Sequence, residues 1–297
     1  MMSADFSSWA AERQAAFEEI LRHVLPQSDV SPQRLHQAMR YAVLDGGKRV
    51  RPLLAFAAGE MTGADVARVN IVAASVELIH AYSLVHDDMP CMDDDVLRRG
   101  KPTCHVQYDE ATALLVGDSL QTLAFQLLTE HRLSDGPQQQ MAMIRLLASA
   151  SGSRGMAGGQ AIDLDSIGKS LTLPELENMH IHKTGALIRA AVLLGAQCGT
   201  VSPVQLARLD HYAKCVGLAF QVVDDVLDSE ADTATLGKTA GKDADNDKPT
   251  YVTLLGVAAA REMANNLHRE ALESLAEFGD AAQRLRELAD FIVLRKF

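Results

Sequence analysis

VELIHAYSLVHDD (Val76–Asp88) and AKCVGLAFQVVDDVLD (Ala213–Asp228) share one plan: an apolar run that ends in an aspartate pair. Neither alternates apolar and polar residues, so neither reads as a half-buried strand. Both read as buried helices with negative charge gathered at one end. The first continues as MPCMDDDVLRRGKPT, so that Asp87, Asp88 and Asp93 make a DDxxxxD pattern; the second gives DDxxD over Asp224, Asp225 and Asp228. Residues four apart on a helix are neighbours, about 5–6 Å apart at Cβ, which puts Asp224 and Asp228 on one face. Pro90 cannot sit inside a helix, and a break there leaves slack to return Asp93 beside Asp87.

The rest of the chain agrees with helices. Met263, Leu267, Ala271, Leu275 and Phe278 recur at steps of three and four. Ser31-Pro32 and Ser202-Pro203 each have the form of an N-cap followed by proline at the first helical position. There is no Asn-Gly hairpin signal. The expectation is an all-α fold in a single domain over residues 1–297. Two stretches read as irregular: the glycine-rich Ser151–Ser170 and the polar Ser229–Thr250.

Composition bounds the function. With 47% hydrophobic residues in 297, the chain can build a sizeable core. A formal net charge of -11 sets nucleic-acid binding aside. Cys91, Cys104, Cys198 and Cys215 are scattered without a CxxC pair, which points to a reducing compartment and away from a disulfide framework or a zinc site. The first twenty residues carry acids early and lack a long apolar core. No apolar run reaches membrane-spanning length without a charge or a histidine. A cytoplasmic protein with no stable membrane insertion is expected.

Clustered carboxylates need a partner. Two unit charges 4 Å apart repel by about 4 kcal/mol at an effective dielectric near 20. A run of charge is usually a solvated face, but here two clusters sit at matching helix ends. Hard divalent cations relieve such crowding through oxygen ligands, and Mg²⁺ typically combines one or two carboxylates with substrate phosphates. Basic groups are then needed for the phosphates. Lys48, Arg49 and Arg51 follow Gly46-Gly47; Arg98, Arg99 and Lys101 follow the first cluster; Lys183 precedes Thr184; Lys238, Lys242 and Lys248 lie in the polar stretch. Singly, each is ordinary surface. Together with the aspartates they suit a diphosphate held with Mg²⁺. LGKT at Leu236–Thr239 is not a P-loop, because Asp232 stands where that motif needs glycine.

GGKRVRP, LIHAYSLVHDDMPCMDDDVLRRGKPT, GGQAIDL, HKTGAL, FQVVDDVLD and GKDADNDKPTY follow one another along the chain. In this order and spacing they resemble the short-chain trans-isoprenyl diphosphate synthases, the bacterial farnesyl-type members most closely. The resemblance implies a helical bundle around a deep central cavity and, as an activity, Mg²⁺-dependent 1'-4 condensation of isopentenyl diphosphate with dimethylallyl and geranyl diphosphate to farnesyl diphosphate. It implies three Mg²⁺ ions, two on Asp87, Asp88 and Asp93 and one on Asp224, Asp225 and Asp228. It assigns Lys48, Arg51, His80 and Arg99 to isopentenyl diphosphate. Arg98, Lys183, Lys238 and Lys248 fall to the allylic diphosphate, with Lys183 counted among the catalytic groups. Thr184 and Gln221 would flank the carbocation, and a homodimer is implied. The C-terminal Leu294-Arg295-Lys296-Phe297 departs from the short basic tail common in relatives.

Chain length is assigned to Tyr82 and Ser83. Tyr82 lies five residues before Asp87, roughly 7.5 Å along a helix axis, and an aromatic residue there accompanies a fifteen-carbon product in the resembling family. The plain alternative is an ordinary core tyrosine with its hydroxyl satisfied. Other product lengths, geranyl or geranylgeranyl, stay open. The more distant rivals are a helical HD-type metal phosphohydrolase, through His86-Asp87, a terpene cyclase, and a non-catalytic prenyltransferase subunit.

Overall fold

The computed structural model describes residues 4–230 and 249–295. The described chain is helical almost throughout. In order it forms α1 Ala4–Val24, α2 Gln33–Val43, α3 Val50–Met61, α4 Val66–Asp87, α5 Cys104–Gln107, α6 Glu110–Glu130, α7 Pro137–Ser151 and α8 Met156–Asp165. Then come α9 Leu173–His180, a π turn Ile181–Gly185, α10 Ala186–Gln197, α11 Pro203–Glu230, α12 Tyr251–Leu255, α13 Val257–Ser274, a 3₁₀ segment Ala276–Ala282 and α14 Gln283–Leu294. The all-α expectation holds.

α4 and α11 occupy the interior. α4 packs against α3, α6 and α10, and α11 packs against α10 and α13. Val72, Val76, Leu78 and Ile79 of α4 are fully buried; a helix that is apolar all round belongs inside. α3 and α10 are shared walls. Phe56 and Leu194 face the side built on α4, while Leu54 and Val192 face the side built on α11. Gly195 lets α10 close on α3: a Cβ there would stand 2.2 Å from the Ala55 carbonyl oxygen. α4 and α6 are long and apolar enough, by length and composition, to cross a membrane. α4 is nevertheless enclosed by protein and carries the buried Glu77.

Glu77 explains one residue of the GGKRVRP stretch. Arg49 donates to Glu77 at 2.6 Å, to Glu18 at 2.8 Å and to the Val43 carbonyl at 2.6 Å. It is 4% exposed and ties α1, the α2–α3 loop and α4 together. Arg49→Ala leaves Glu77 buried and uncompensated, so the expected loss is about 3–5 kcal/mol in urea denaturation, largely recovered by Arg49→Met with Glu77→Leu. A loss under about 1 kcal/mol would mean that Glu77 has other support.

Local sequence signals fared unevenly. Ser202 caps α11 as expected: its hydroxyl accepts from the Gln205 amide, and Gln205 accepts from the Ser202 amide. At α2 the cap is Pro32 itself, one residue later than read from the sequence. Ser151–Ser170 is not irregular, since α8 lies inside it. Its glycines allow tight packing: a Cβ on Gly159 would stand 2.1 Å from the Lys183 amide nitrogen. The described residues also hold one antiparallel ribbon, β1 Leu97–Arg98 with β2 Lys101–Pro102. Both turn residues, Arg99 and Gly100, have positive φ (54° and 73°), as the tight hairpin turn demands. Most of Ser229–Thr250, with Lys238, Lys242 and Lys248, lies outside the described residues.

Candidate active site

α4 ends at Asp87. Pro90 follows three residues later and the chain turns back. The Asp93 amide donates to the Asp87 carbonyl at 2.8 Å, and the Asp95 amide to the Asp88 carbonyl at 3.1 Å. The break expected at Pro90 therefore does return Asp93 to Asp87. Burial pushes the Asp87 carboxyl up to about 6; Lys183 opposes that shift and Asp93 adds to it. Asp88 turns elsewhere. It is 3% exposed, and Arg98 clasps both of its oxygens from Nε at 2.7 and 2.8 Å. Of the three aspartates grouped from the sequence, two converge and the third holds an arginine.

The β1–β2 hairpin aims Arg98 and Arg99 in different directions. Arg99 donates to the Gly46 carbonyl at 2.9 Å. Gly47 is needed beneath it on two counts: its φ is +89°, and a Cβ would stand 2.7 Å from the guanidinium carbon. Arg51 lies close enough to Asp224 and Glu77 to feel both, but burial still lowers its pKa. Its Nε finds no partner among the described residues. His80 is held well below the usual imidazole range by burial and then by Arg51 and Arg99, so its ring is neutral at neutral pH. Lys48 is shifted down by burial, then by Arg295, with Asp224 opposing. Lys48, Arg51 and Arg99 thus form one positive neighbourhood near Asp224, with the neutral His80 ring among them.

α11 runs unbroken through Asp224, Asp225 and Asp228. Asp225 is buried and fixed: Gln221 donates to one oxygen at 2.9 Å and the Tyr251 amide to the other at 2.9 Å. Thr184 donates to Gln221 at 3.1 Å, which links the π turn to α11. On the same turn Lys183 donates to Asp163 at 2.6 Å. Arg295 is ion-paired to Asp224; it also donates to the Phe220 carbonyl at 3.2 Å and lies 4.2 Å over that residue's ring. Lys296 and Phe297 lie outside the described residues.

A cavity of about 380 Å³ lies between the end of α4, α8 and the π turn. Arg51, His80, Asp87, Lys183 and Thr184 line it, and Tyr82 and Ser83 line its apolar portion with Met156 and Leu164. A cavity of this size is in the range of small-molecule sites. Tyr82 is 7% exposed and meets the His86 ring edge-on at 5.8 Å; its hydroxyl bonds to Gln121 of α6. His86 Nε2 bonds to the Leu114 carbonyl at 3.0 Å, so His86 fastens α4 to α6 and does not pair with Asp87 as an HD metal ligand. A larger cleft of about 430 Å³ is lined by Val226, Glu230, Arg261 and Arg295, and by none of the aspartates of either motif.

The donors suit a hard cation. The converging groups Asp87 and Asp93, and Asp224 with Asp228 on α11, are carboxylates alone, the ligand type Mg²⁺ prefers. Burial, with Asp93 adding to it, raises the Asp87 carboxyl, and a bound cation would relieve the cost of charging it.

Sequence reading missed Asp163, Gln160 and the contact made by Arg295. Gln160 lines the cavity, and both of its amide atoms are buried without a partner among the described residues. Asp163 and Gln160 both stand in GGQAIDL, a motif noted without a role for either.

Comparison with known proteins follows the same lines. The polyprenyl synthetase family matches residues 32–288. The chain is 52% identical over 264 residues to the farnesyl diphosphate synthase of Escherichia coli, covering 87% of this chain and 88% of that one. A farnesyl/geranylfarnesyl (FPP/GFPP) synthase from Zymomonas mobilis superposes with a TM-score of 0.89 at 39% identity, covering 98% of this chain and 100% of that one. A Helicobacter pylori geranyltransferase, solved with magnesium and isoprenyl diphosphate, gives 0.84 at 34%, covering 99% and 98%.

Proposed function

The chain belongs to the polyprenyl synthetase family, and on that premise we propose that it is a farnesyl diphosphate synthase. It is a prenyltransferase that condenses isopentenyl diphosphate with dimethylallyl and then geranyl diphosphate, 1'-4 and trans, as one domain spanning the chain. One observation carries this reading: a single cavity has basic groups and Asp87 at its polar end and Tyr82 in its apolar portion. The E. coli relative is named for the same product. The Z. mobilis structure is named for both farnesyl and geranylfarnesyl products, so product length is the finer part of the proposal.

The residues divide the work. Lys48, Arg51, His80 and Arg99 hold the diphosphate of isopentenyl diphosphate. Arg98 and Lys183 hold the allylic diphosphate, helped by Lys238 and Lys248. Asp87, Asp93, Asp224 and Asp228 would hold three Mg²⁺ ions. Asp88 fixes Arg98, and Asp225 positions Gln221. Bound Mg²⁺ supplies positive charge that stabilises the leaving diphosphate. Asp163 accepts from the Lys183 ammonium and orients it. As the allylic C–O bond breaks, the Thr184 and Gln221 oxygens face the developing cation. The double bond of isopentenyl diphosphate attacks the cation, and the released diphosphate takes the proton, because the neighbouring carboxylates are committed to metal, arginine or amide. The apolar walls exclude water that would quench the cation.

The enzyme is expected in the cytoplasm as a homodimer. Leu114 and Leu115, both exposed on α6, support a self-association face, and light scattering reads the mass. Labelled isopentenyl diphosphate supplied with each allylic starter, followed by chromatography of the dephosphorylated products, tests the reaction. Phosphate release without isopentenyl diphosphate would favour a hydrolase.

The two diphosphate sites separate by mutation. Arg51→Ala is expected to raise KM for isopentenyl diphosphate about 10–100-fold, the equivalent of roughly 1.5–3 kcal/mol for a charged hydrogen bond. KM for geranyl diphosphate should move far less. Equal effects on both substrates would contradict the assignment.

A further inference from the structure

His211 and Cys215 stand four residues apart on α11 and share a face. Glu270 of α13 meets them there. Cys215 Sγ lies 3.8 Å from His211 Nε2 and 3.9 Å from Glu270 Oε2. All three ligand atoms fall within 4.8 Å of one another. In a tetrahedral zinc site, Zn–S is about 2.3 Å and Zn–N or Zn–O about 2.0–2.1 Å, which separates sulfur from its N or O neighbours by roughly 3.5–3.6 Å. Both sulfur separations are within a few tenths of that. His211 and Glu270 are exposed, so small side-chain rotations close the third edge.

We propose that His211, Cys215 and Glu270 form a three-ligand site for a divalent transition metal of the zinc class, with water completing the tetrahedron. This site is chemically and spatially separate from the aspartates. Its S, N and O donors suit a borderline-soft ion, not Mg²⁺. Cys215 lies nine residues before Asp224, roughly 13–14 Å along the helix and half a turn round it, so it faces the opposite way. Cys215 is 4% exposed, while its two exposed partners leave a path for the ion.

Without a cation the thiol stays protonated, since burial and then Glu270 push it up to about 11. Binding exchanges charge: the thiol S–H bond breaks, the sulfur lone pair goes to the metal, and the proton goes to solvent. Neither His211 nor Glu270 has another side-chain partner among the described residues. The bound ion would join α11 to α13 and brace the helix that carries Asp224, Asp225 and Asp228. The scattered cysteines pointed away from zinc because no CxxC pair is present. This site instead combines an i, i+4 pair with an acid 55 residues from the cysteine.

Cobalt(II) tests the site, because a thiolate ligand and tetrahedral geometry each leave an absorption signature. The full chain is titrated with Co²⁺ under saturating Mg²⁺, in a Cys91→Ser background, because Cys91 is exposed beside the first aspartate cluster. The expected result is one equivalent bound with a thiolate-to-cobalt charge-transfer band and tetrahedral d–d bands, about one proton released per ion, and bleaching by Zn²⁺. Cys215→Ser removes the charge-transfer band. His211→Ala and Glu270→Ala, at exposed positions that leave the fold intact, each weaken binding at least tenfold. An octahedral spectrum without a sulfur band, a band that survives Cys215→Ser, or unchanged affinity in both exposed variants would overturn the proposal.

Discussion

Asp87→Asn lowers turnover by a factor on the order of 10³ or more, yet stabilises the metal-free protein at neutral pH. The first effect follows from losing a carboxylate proposed to hold Mg²⁺ at a site where charge develops on a leaving group. EDTA on the parent enzyme should have the same consequence, reversed by Mg²⁺. The second effect follows from the raised carboxyl. Burial pushes the Asp87 carboxyl up to about 6 in the folded chain, against an ordinary 3.8. A carboxyl raised on folding favours the folded state below the unfolded value of about 4, and that advantage disappears as pH rises through 6. At pH 7.5 the charged group therefore costs about 1–3 kcal/mol, and asparagine carries no such cost. Denaturation in EDTA at pH 5 and pH 7.5 reads it: the parent chain should lose stability between the two relative to Asp87→Asn. Full turnover in the variant would refute the metal assignment, and parallel pH profiles would refute the burial argument.

Tyr82→Ala shifts the product from fifteen carbons toward twenty, by at least tenfold in product ratio. Tyr82 and Ser83 line the apolar portion of the cavity, and Ser75, Leu78 and Ile79, deeper along α4, do not. Those deeper residues are buried and apolar or small, so removing the ring opens space below for another isoprene unit. The truncation should also destabilise by about 3–5 kcal/mol, the usual cost of deleting a buried aromatic side chain. Tyr82→Phe is the control: it keeps the ring, loses only the bond to Gln121, and should still stop at fifteen carbons. Ser83→Phe raises the floor and should leave geranyl diphosphate. Product lengths are compared at matched conversion. An active Tyr82→Ala that still stops at fifteen would make Tyr82 packing and put the floor elsewhere.

The aspartate-ended helices could be read from sequence because apolar runs, proline and carboxylates act locally. Pro90 alone dictates where α4 stops, and four-residue spacing alone aligns Asp224 with Asp228. What could not be read depended on contacts between distant segments. Asp88 resembled its neighbours until Arg98 was brought across by a hairpin whose Arg99-Gly100 turn lacks the usual asparagine. Arg49 looked like Arg51, yet only the fold puts Glu77 beside it. α8 was hidden because glycine weakens an isolated helix, and its glycines matter only against the backbone of the π turn. Arg295 gave no sign in the chain that it would settle on Asp224.

Arg99 holds a left-handed backbone that asparagine or glycine would adopt with less strain. A library screened only for survival after heating would therefore drift toward those two residues at position 99. Each such winner would keep its fold and surrender the guanidinium that rests on Gly46. On the proposed role of Arg99, heat tolerance and affinity for isopentenyl diphosphate would trade against each other at this codon, and a breeding scheme for a hardier catalyst would have to score both traits together.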